Sequence, residues 1–508
     1  MAAWIQEAGL SQTLVSCFVM CPNTAMKVWF GLFGCLLLWC GLGNARDSKD
    51  FNVLLIVVDD LGWADLGCCG ADLHKSPNID RFCQGAMKFT KAYVASPVCT
   101  PTRASIMTGM HPARLHMTIW HEASANPPQD KPLIPPVTRG NLALSHTTLA
   151  EVFHKEGYVT AHLGKWHLGT AGFYPELHGF DINIGGSFWG CPPTFFYPYR
   201  GPFGQRKEMR YVPGMEGGHE GEYLTDRLTN EAIQVMAETG GKPFFLNMCY
   251  YTVHTPIEGK PAVAAKYEAR LDENMHHQNA HYAAMVESLD ENVGRLLDEL
   301  ERLKIEKETV VILTSDNGGF VNQWHGQKVT NNHPLRSGKG SLYEGGVRVP
   351  LMIRWPGTTQ PGSVSHEMVT TCDFFPTLQE ALDLPTEEMP KSSADGQSLM
   401  ALLKDPSSHL QRDTLFWHYP HYYPTTEPVS SIRSGDWKLL EYHRDQRIEL
   451  YHLGDDLSES QNLAVRQPTK AAALQKRLSV WREEVNAQMP QKNERHPKEP
   501  YSSGGRGQ

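Results

Sequence analysis

The polar residues able to do chemistry fall in short clusters far apart in the chain: Asp59-Asp60, Cys99 with Arg103, Lys165 with His167, His254, Asp316-Asn317 and Lys339. Asp59, Asp60, Asp316 and Asn317 offer only oxygen, the donor set a hard cation prefers, and zinc is disfavoured without histidine or cysteine among the donors. Taken singly, Asp59-Asp60 also reads as a cap for the next element and Asp316-Asn317-Gly318 as a turn. Cys99 precedes a turn-forming proline, a place where an inert buried cysteine is the ordinary alternative to a reactive one. His254, in His254-Thr255-Pro256, has a side chain whose proton affinity suits acid–base work near neutral pH, and a loop histidine is its plain alternative. The formal net charge is −9, so no overall field draws in an anion. Any anionic substrate must be held by local cations.

The elements that position these residues are legible in the apolar runs. Phe51–Val58 is a continuous, largely β-branched run, as expected of a parallel strand buried on both faces, and it ends at Asp59-Asp60. Thr148-Leu149-Ala150-Glu151 reads as a capping box opening a helix that Gly157 stops; the strand Tyr158–Leu163 follows and ends at Lys165 and His167. Pro243–Tyr250 is another buried strand, with His254 just beyond it. Met285, Leu289, Val293, Leu296, Leu300 and Leu303 recur at helical spacing, so Tyr282–Leu303 reads as an amphipathic crossover helix. It feeds the strand Thr309–Thr314, which runs into Asp316-Asn317. Catalytic-type residues thus follow the carboxyl ends of several separate strands, where open α/β sheets bind ligands.

The run Ser96–Gly109, with Cys99-Thr100-Pro101-Thr102-Arg103 at its core, resembles the signature of the type I sulfatases, and Gly157–His167 is similar to a second block of that family. The resemblance spans about Asn52 to Ala464. It implies an alkaline phosphatase-like α/β fold: a large mixed, mostly parallel sheet flanked by helices, with a smaller C-terminal α+β domain. It implies that Cys99 is oxidised by a formylglycine-generating maturation enzyme to formylglycine (3-oxoalanine), whose hydrate attacks the sulfur of a sulfate ester and leaves a covalent sulfate intermediate. One calcium ion would be bound by Asp59, Asp60, Asp316 and Asn317 and would touch converted Cys99, with magnesium a second candidate. Lys165 matches the sulfate-binding lysine, and His167 the histidine that takes a proton from the hydrate once it carries sulfate. His254 and Lys339 match residues that bind sulfate and can protonate the leaving alcohol. Arg103 would hydrogen-bond the hydrate and the calcium ligands from a helix starting after Pro101, whose N-terminus favours an anion.

Length and composition set the frame. The 508 residues are 41% hydrophobic and 20% charged, ordinary for a globular enzyme, and a pI near 6.2 gives no reason to expect nucleic acid as a partner. The apolar run Val28–Leu42, preceded by Lys27 and followed by Gly43-Asn44-Ala45, reads as a signal peptide within residues 1–45, with Met26 an alternative start, and hence as an exported, secreted or periplasmic protein without a stable membrane span. Beyond the leader remain Cys68, Cys69, Cys83, Cys99, Cys191, Cys249 and Cys372, too sparse for a disulfide framework. The expected organisation is a catalytic domain over 46–393, a C-terminal antiparallel sheet plus helix over 394–490 and a disordered tail over 491–508. Phe416–Tyr419, Ser431–Leu440 and Glu449–Leu453 read as its strands and Leu474–Val485 as its helix. The aromatic tract Phe195–Tyr199 and those around Trp417 and Tyr422 suit either sugar stacking or core packing, and Arg200–Gly221 reads as an insertion that shapes substrate choice. The expected substrate is a sulfated saccharide or small molecule. A formylglycine-dependent phosphonate or phosphodiester hydrolase and a non-catalytic binder of sulfated glycan are the alternatives.

Overall fold

Alternation along single strands divides the interior in two. In the strand Asn52–Val58 (β1), Val53, Leu55 and Val57 face one apolar cluster and Leu54, Ile56 and Val58 another, so the sheet is buried on both faces. The computed structural model describes residues 51–384 and 395–496; the signal-peptide reading of 1–45 and the end of the chain from 497 lie outside them.

The large sheet also contains Met87–Tyr93 (β2), Val159–Gly164 (β3), Ile182–Ile184 (β4), Phe244–Tyr250 (β5), Thr309–Ser315 (β6), Leu351–Arg354 (β7) and Val364–Thr370 (β8). The eight strands are ordered β8-β2-β7-β6-β1-β5-β3-β4. Only β7 runs against the others, antiparallel to both β6 and β2. The in-register parallel set β6-β1-β5-β3 at the centre is the set of runs that the sequence marks as buried strands. Helix Ala280–Arg302 buries Met285, Leu289, Val293, Leu296 and Leu300 against this sheet, with the Asn279 side chain accepting from the Tyr282 amide at its start. The capping box at Thr148 is present: Thr148 Oγ1 accepts from the Glu151 amide, and the Glu151 carboxylate accepts from the Thr148 amide.

The C-terminal part is a four-stranded antiparallel sheet, Thr414–Tyr419 (β9), Val429–Ser434 (β10), Trp437–Tyr442 (β11) and Ile448–His452 (β12), in that order. The expected run Ser431–Leu440 is a hairpin turned at Gly435-Asp436, where Gly435 has φ +57°. One face carries the helix Pro468–Glu484 through Leu474, Leu478 and Trp481. The helix begins six residues before the expected Leu474 because ahead of it only Ala471 is buried, too little to make an apolar period. The other face packs Trp417, Tyr419 and Tyr442 against Tyr93, Val94 and Val98, so the C-terminal sheet belongs to the same compact unit as the large one. Gln491–Lys492, expected in a disordered tail, pairs with Leu133–Ile134, and Asn493 Nδ2 donates to the carbonyls of Gln129 and Lys131. Backbone pairing of this kind needs no apolar signature. Among the described residues no helix is long and apolar enough to cross a membrane.

Candidate functional site

The four central parallel strands end at one edge of the sheet, and each delivers part of a single site. β1 delivers Asp59 and Asp60, the latter at φ +62°; β6 delivers Asp316 and Asn317; β3 delivers Lys165 and His167; β5 is followed by His254. The helix Cys99–Thr108 (α1) starts at Cys99 and places Arg103 one turn later on the same face. Asn317 is followed by two glycines for a steric reason, since a Cβ at Gly318 would lie 1.9 Å from the Gly345 carbonyl oxygen.

Every anion in the site is matched by a cation. Lys165 Nζ lies 2.8 Å from Asp59 Oδ2, Lys339 Nζ 2.7 Å from Asp60 Oδ1, and Arg103 Nε donates to Asp316 Oδ2 at 2.8 Å. Arg103 also donates to the Lys165 carbonyl, and Asn317 Nδ2 donates to Asp60 Oδ1 at 2.7 Å. All these side chains are nearly or fully buried. Burial raises the Asp59 carboxyl well above the usual range, offset only in part by Lys165 and reinforced by Asp316 and Asp60. Asp60 lies below the usual range because Lys339, His254 and Lys165 together outweigh its burial.

Three oxygens nonetheless accept no hydrogen bond: Asp59 Oδ1, Asp60 Oδ2 and Asn317 Oδ1 are buried without a donor. Buried acceptors left bare are costly unless something positive faces them. Together with the all-oxygen chemistry of the set, they fit a hard divalent cation. Asp59, Asp60 and His254 also lie close enough to share one ion.

Cys99, His167, His254 and Lys339 line one pocket of about 280 Å³. Burial pushes the Cys99 thiol up, but Lys165, Lys339 and His167 outweigh it and bring it down to about 6. Cys99 Sγ is 3.5 Å from His167 Nδ1. His254 Nδ1 donates to the Thr255 carbonyl at 2.8 Å, leaving Nε2 3.6 Å from Asp60 Oδ2. Burial and Lys339 hold this imidazole well below its ordinary value, so it is neutral and Nε2 is an acceptor. Lys339 is the standing cation, raised by Asp60 against its own burial.

The sequence reading brings Cys99, Arg103, Lys165, His167, His254, Lys339 and the four oxygen donors to the site, and the structure places all of them there. It does not assign a site role to Trp120, Glu122, Phe203, Arg210, Phe320 and Tyr423, which line the pocket from loops, a one-turn helix and a short hairpin with no periodic signal. Phe203 and Arg210 had a pointer, falling within the insertion Arg200–Gly221, and Tyr423 belongs to the aromatic tract around Tyr422. Of the aromatic tracts, Phe195 and Tyr199 are fully buried in the core behind the sheet, and Trp417 is part of the packing between the two sheets, so these serve folding and not a sugar.

The sulfatase family model matches residues 51–384, and the model of the N-sulphoglucosamine sulphohydrolase C-terminal region matches 337–488. A sulfatase of Formosa agariphila is 31% identical over 524 residues, covering 90% of this chain and 93% of that protein. Human N-acetylgalactosamine-6-sulfatase is 29% identical, covering 89% of this chain and 88% of its own length. Among solved structures, Ps i-CgsB superposes with a TM-score of 0.69 at 26% identity over 86% of this chain and 93% of its own. That protein has also been solved in complex with k-i-k-neocarrahexaose.

Proposed function

Because this chain belongs to the sulfatase family, hydrolases of sulfuric esters, we propose that it releases inorganic sulfate from a sulfated saccharide, using a formylglycine made from Cys99 and one calcium ion at Asp59, Asp60, Asp316 and Asn317. One observation carries the reading: the helix-terminal Cys99 lines one pocket with His167, His254 and Lys339, and Lys339 and Lys165 pair with Asp60 and Asp59, each of which keeps one buried oxygen bare. When present, the two groups supply a hydrated aldehyde as nucleophile toward sulfur and a positive charge for a sulfate oxygen.

The chain's own residues do the rest. Lys339, paired with Asp60, lines the pocket as fixed countercharge for sulfate, and the buried Lys165, paired with Asp59, adds the positive potential that already acts on Cys99, at no cost of reorganisation. Arg103 locks Asp316 to the backbone of Lys165, so the oxygen donors and the lysine keep one geometry. His167 Nδ1, facing Cys99, takes a proton from the converted side chain in the second half of turnover. His254 lines the same pocket and is the proposed acid for the leaving alcohol; a neutral imidazole must gain a proton before giving one, and the negative charge of bound sulfate favours that gain. The saccharide part of the reading is supported by Trp120, Phe203, Phe320 and Tyr423 around the mouth and by the names of the relatives. Export, with conversion by a formylglycine-generating enzyme, completes the proposal.

The test is sulfate release from a panel of sulfated mono- and disaccharides, with a phosphonate ester alongside. Conversion of Cys99 is verified by peptide mass, and Cys99→Ala serves as blank. Calcium-dependent sulfate release that Cys99→Ala lacks is the expected result. Cleavage of the phosphonate alone overturns it.

A further inference from the structure

His167 does not face Cys99 unaided. Its other ring nitrogen, Nε2, lies 3.4 Å from Glu122 Oε2, and the second oxygen of Glu122 lies 3.7 Å from Arg210 Nη2. The four groups form one line through the pocket wall: Cys99, His167, Glu122, Arg210. Arg210 is itself fixed. Its guanidinium sits 4.8 Å from the Trp189 ring centroid and 4.6 Å from that of Phe203, and it donates to Cys191 Sγ at 3.0 Å and to Glu208 at 3.2 Å. It comes from the hairpin Arg200–Phe203/Glu208–Tyr211, outside both sheets described above. The imidazole is also hemmed in by Gly190, where a Cβ would lie 2.4 Å from its Cε1. The backbone is tied as well, His167 donating to Ser187 and accepting from Thr100 Oγ1.

We infer that Glu122 is a positioning residue that fixes the tautomer of His167, and that Arg210 clamps Glu122 for that task. A carboxylate can only accept. Nε2 of His167 therefore carries the hydrogen, and Nδ1 presents its lone pair to the side chain at position 99. Burial would raise the Glu122 carboxyl, yet His167 and Arg210 bring it down to about 2, so it is an acceptor at any working pH. The physical logic is that of an acid orienting a catalytic imidazole in hydrolases generally. This inference rests on the role proposed above for His167.

The deciding measurement needs no turnover. In [15N]histidine-labelled protein carrying Cys99→Ser, whose neutral hydroxyl can donate to Nδ1 where a thiolate could not, the His167 resonances are assigned by their absence from His167→Gln, and the imidazole nitrogens are read by NMR. This parent protein is expected to show Nε2 protonated, Nδ1 without a proton and an N–H proton protected from solvent exchange. In Glu122→Ala that proton resonance is lost to exchange, and in Glu122→Gln, which keeps the side-chain volume, it moves upfield. The histidines remote from the pocket keep their resonances, which certifies the fold. A protected His167 N–H persisting in Glu122→Ala overturns the inference.

In converted enzyme, Glu122→Gln lowers kcat by about 10- to 100-fold. KM falls with it and kcat/KM is held, because only the second half of turnover is slowed. A merely structural role would lower kcat/KM as much as kcat, and that result also overturns the inference. If wild type releases no sulfate while the N–H signature still depends on Glu122, the functional proposal fails and the Glu122–His167 link stands.

Discussion

Two buried clusters of aspartate and histidine lie close together in the molecule, and each brings three potential ligand atoms within 4.8 Å: Asp59, Asp60 and His254 in one, Asp65, His74 and His277 in the other. The second is almost fully committed. Asp65 Oδ2 accepts from the Gly62 amide and from Tyr282 Oη, both at 2.6 Å, and Oδ1 accepts from Thr330 Oγ1. His277 faces an acceptor at each nitrogen, Asp72 Oδ1 at 2.6 Å and the Asn331 carbonyl at 3.0 Å. It is therefore an imidazolium, its value raised to about 9 as Asp65 and Asp72 outweigh burial, and it has no lone pair left for a metal. The first cluster has its cations too but keeps Asp59 Oδ1 and Asp60 Oδ2 bare, with Asn317 Oδ1 from the neighbouring strand end, whereas the second leaves only His74 Nε2. Proximity of ligand-type side chains is thus poor evidence for a metal; the count of acceptors without donors separates a structural charge network from a binding site.

That contrast can be broken by substitution. Asp60→Asn is expected to lower sulfate release by roughly 10³-fold or more, by removing both a proposed cation ligand and the partner of Lys339. Steady-state kinetics check this, and a variant retaining a tenth of the wild-type rate would remove Asp60 from the metal set. Asp65→Asn should act on folding instead, costing about 3–5 kcal/mol because His277 loses a buried partner; urea unfolding measures it, and the folded protein should still bind one calcium ion by calorimetric titration.

His277→Gln sharpens the same point through pH. The folded-state value of His277 is raised to about 9, against about 6.5 in the unfolded chain. Its contribution, up to about 3 kcal/mol, is therefore complete below pH 6.5 and lost as pH rises through 9. The stability gap between wild type and His277→Gln should close between those limits, and a pH-independent gap would mean that His277 is neutral. The smallest expected effect is that of the ion itself. Calcium at 100 times its Kd should add about 2.7 kcal/mol to the unfolding free energy of the wild type, and nothing to Asp60→Asn.

The parts of the molecule legible in the sequence are those with a strong local cause. β1, β3, β5 and β6 are buried along nearly their whole length, so apolar residues dominate their runs and their ends fall within a residue of the expectation. β2 alternates with polar residues, β7 is four residues long and β8 carries exposed positions, so none of the three stands out. The charged residues at the strand ends belong to recognisable blocks. Glu122, Arg210 and Tyr423 reach the pocket through tertiary packing alone, and no spacing rule connects positions 122, 167 and 210.

The link between Lys339 and the C-terminal sheet region sets a timetable. Thr425 Oγ1 donates to the Lys339 carbonyl at 2.6 Å, and a Cβ at Gly340 would collide with the Tyr423 ring, 2.0 Å away. The loop that carries the lysine is therefore shaped by residues more than 80 positions later in the chain. A nascent chain that has already made Asp59, Cys99, His167 and Asp316 still lacks the wall against which Lys339 settles. Synthesis must run past Thr425 before the pocket can close, and a chain stopped short of Tyr423 would carry every charged group of the site yet hold no enzyme.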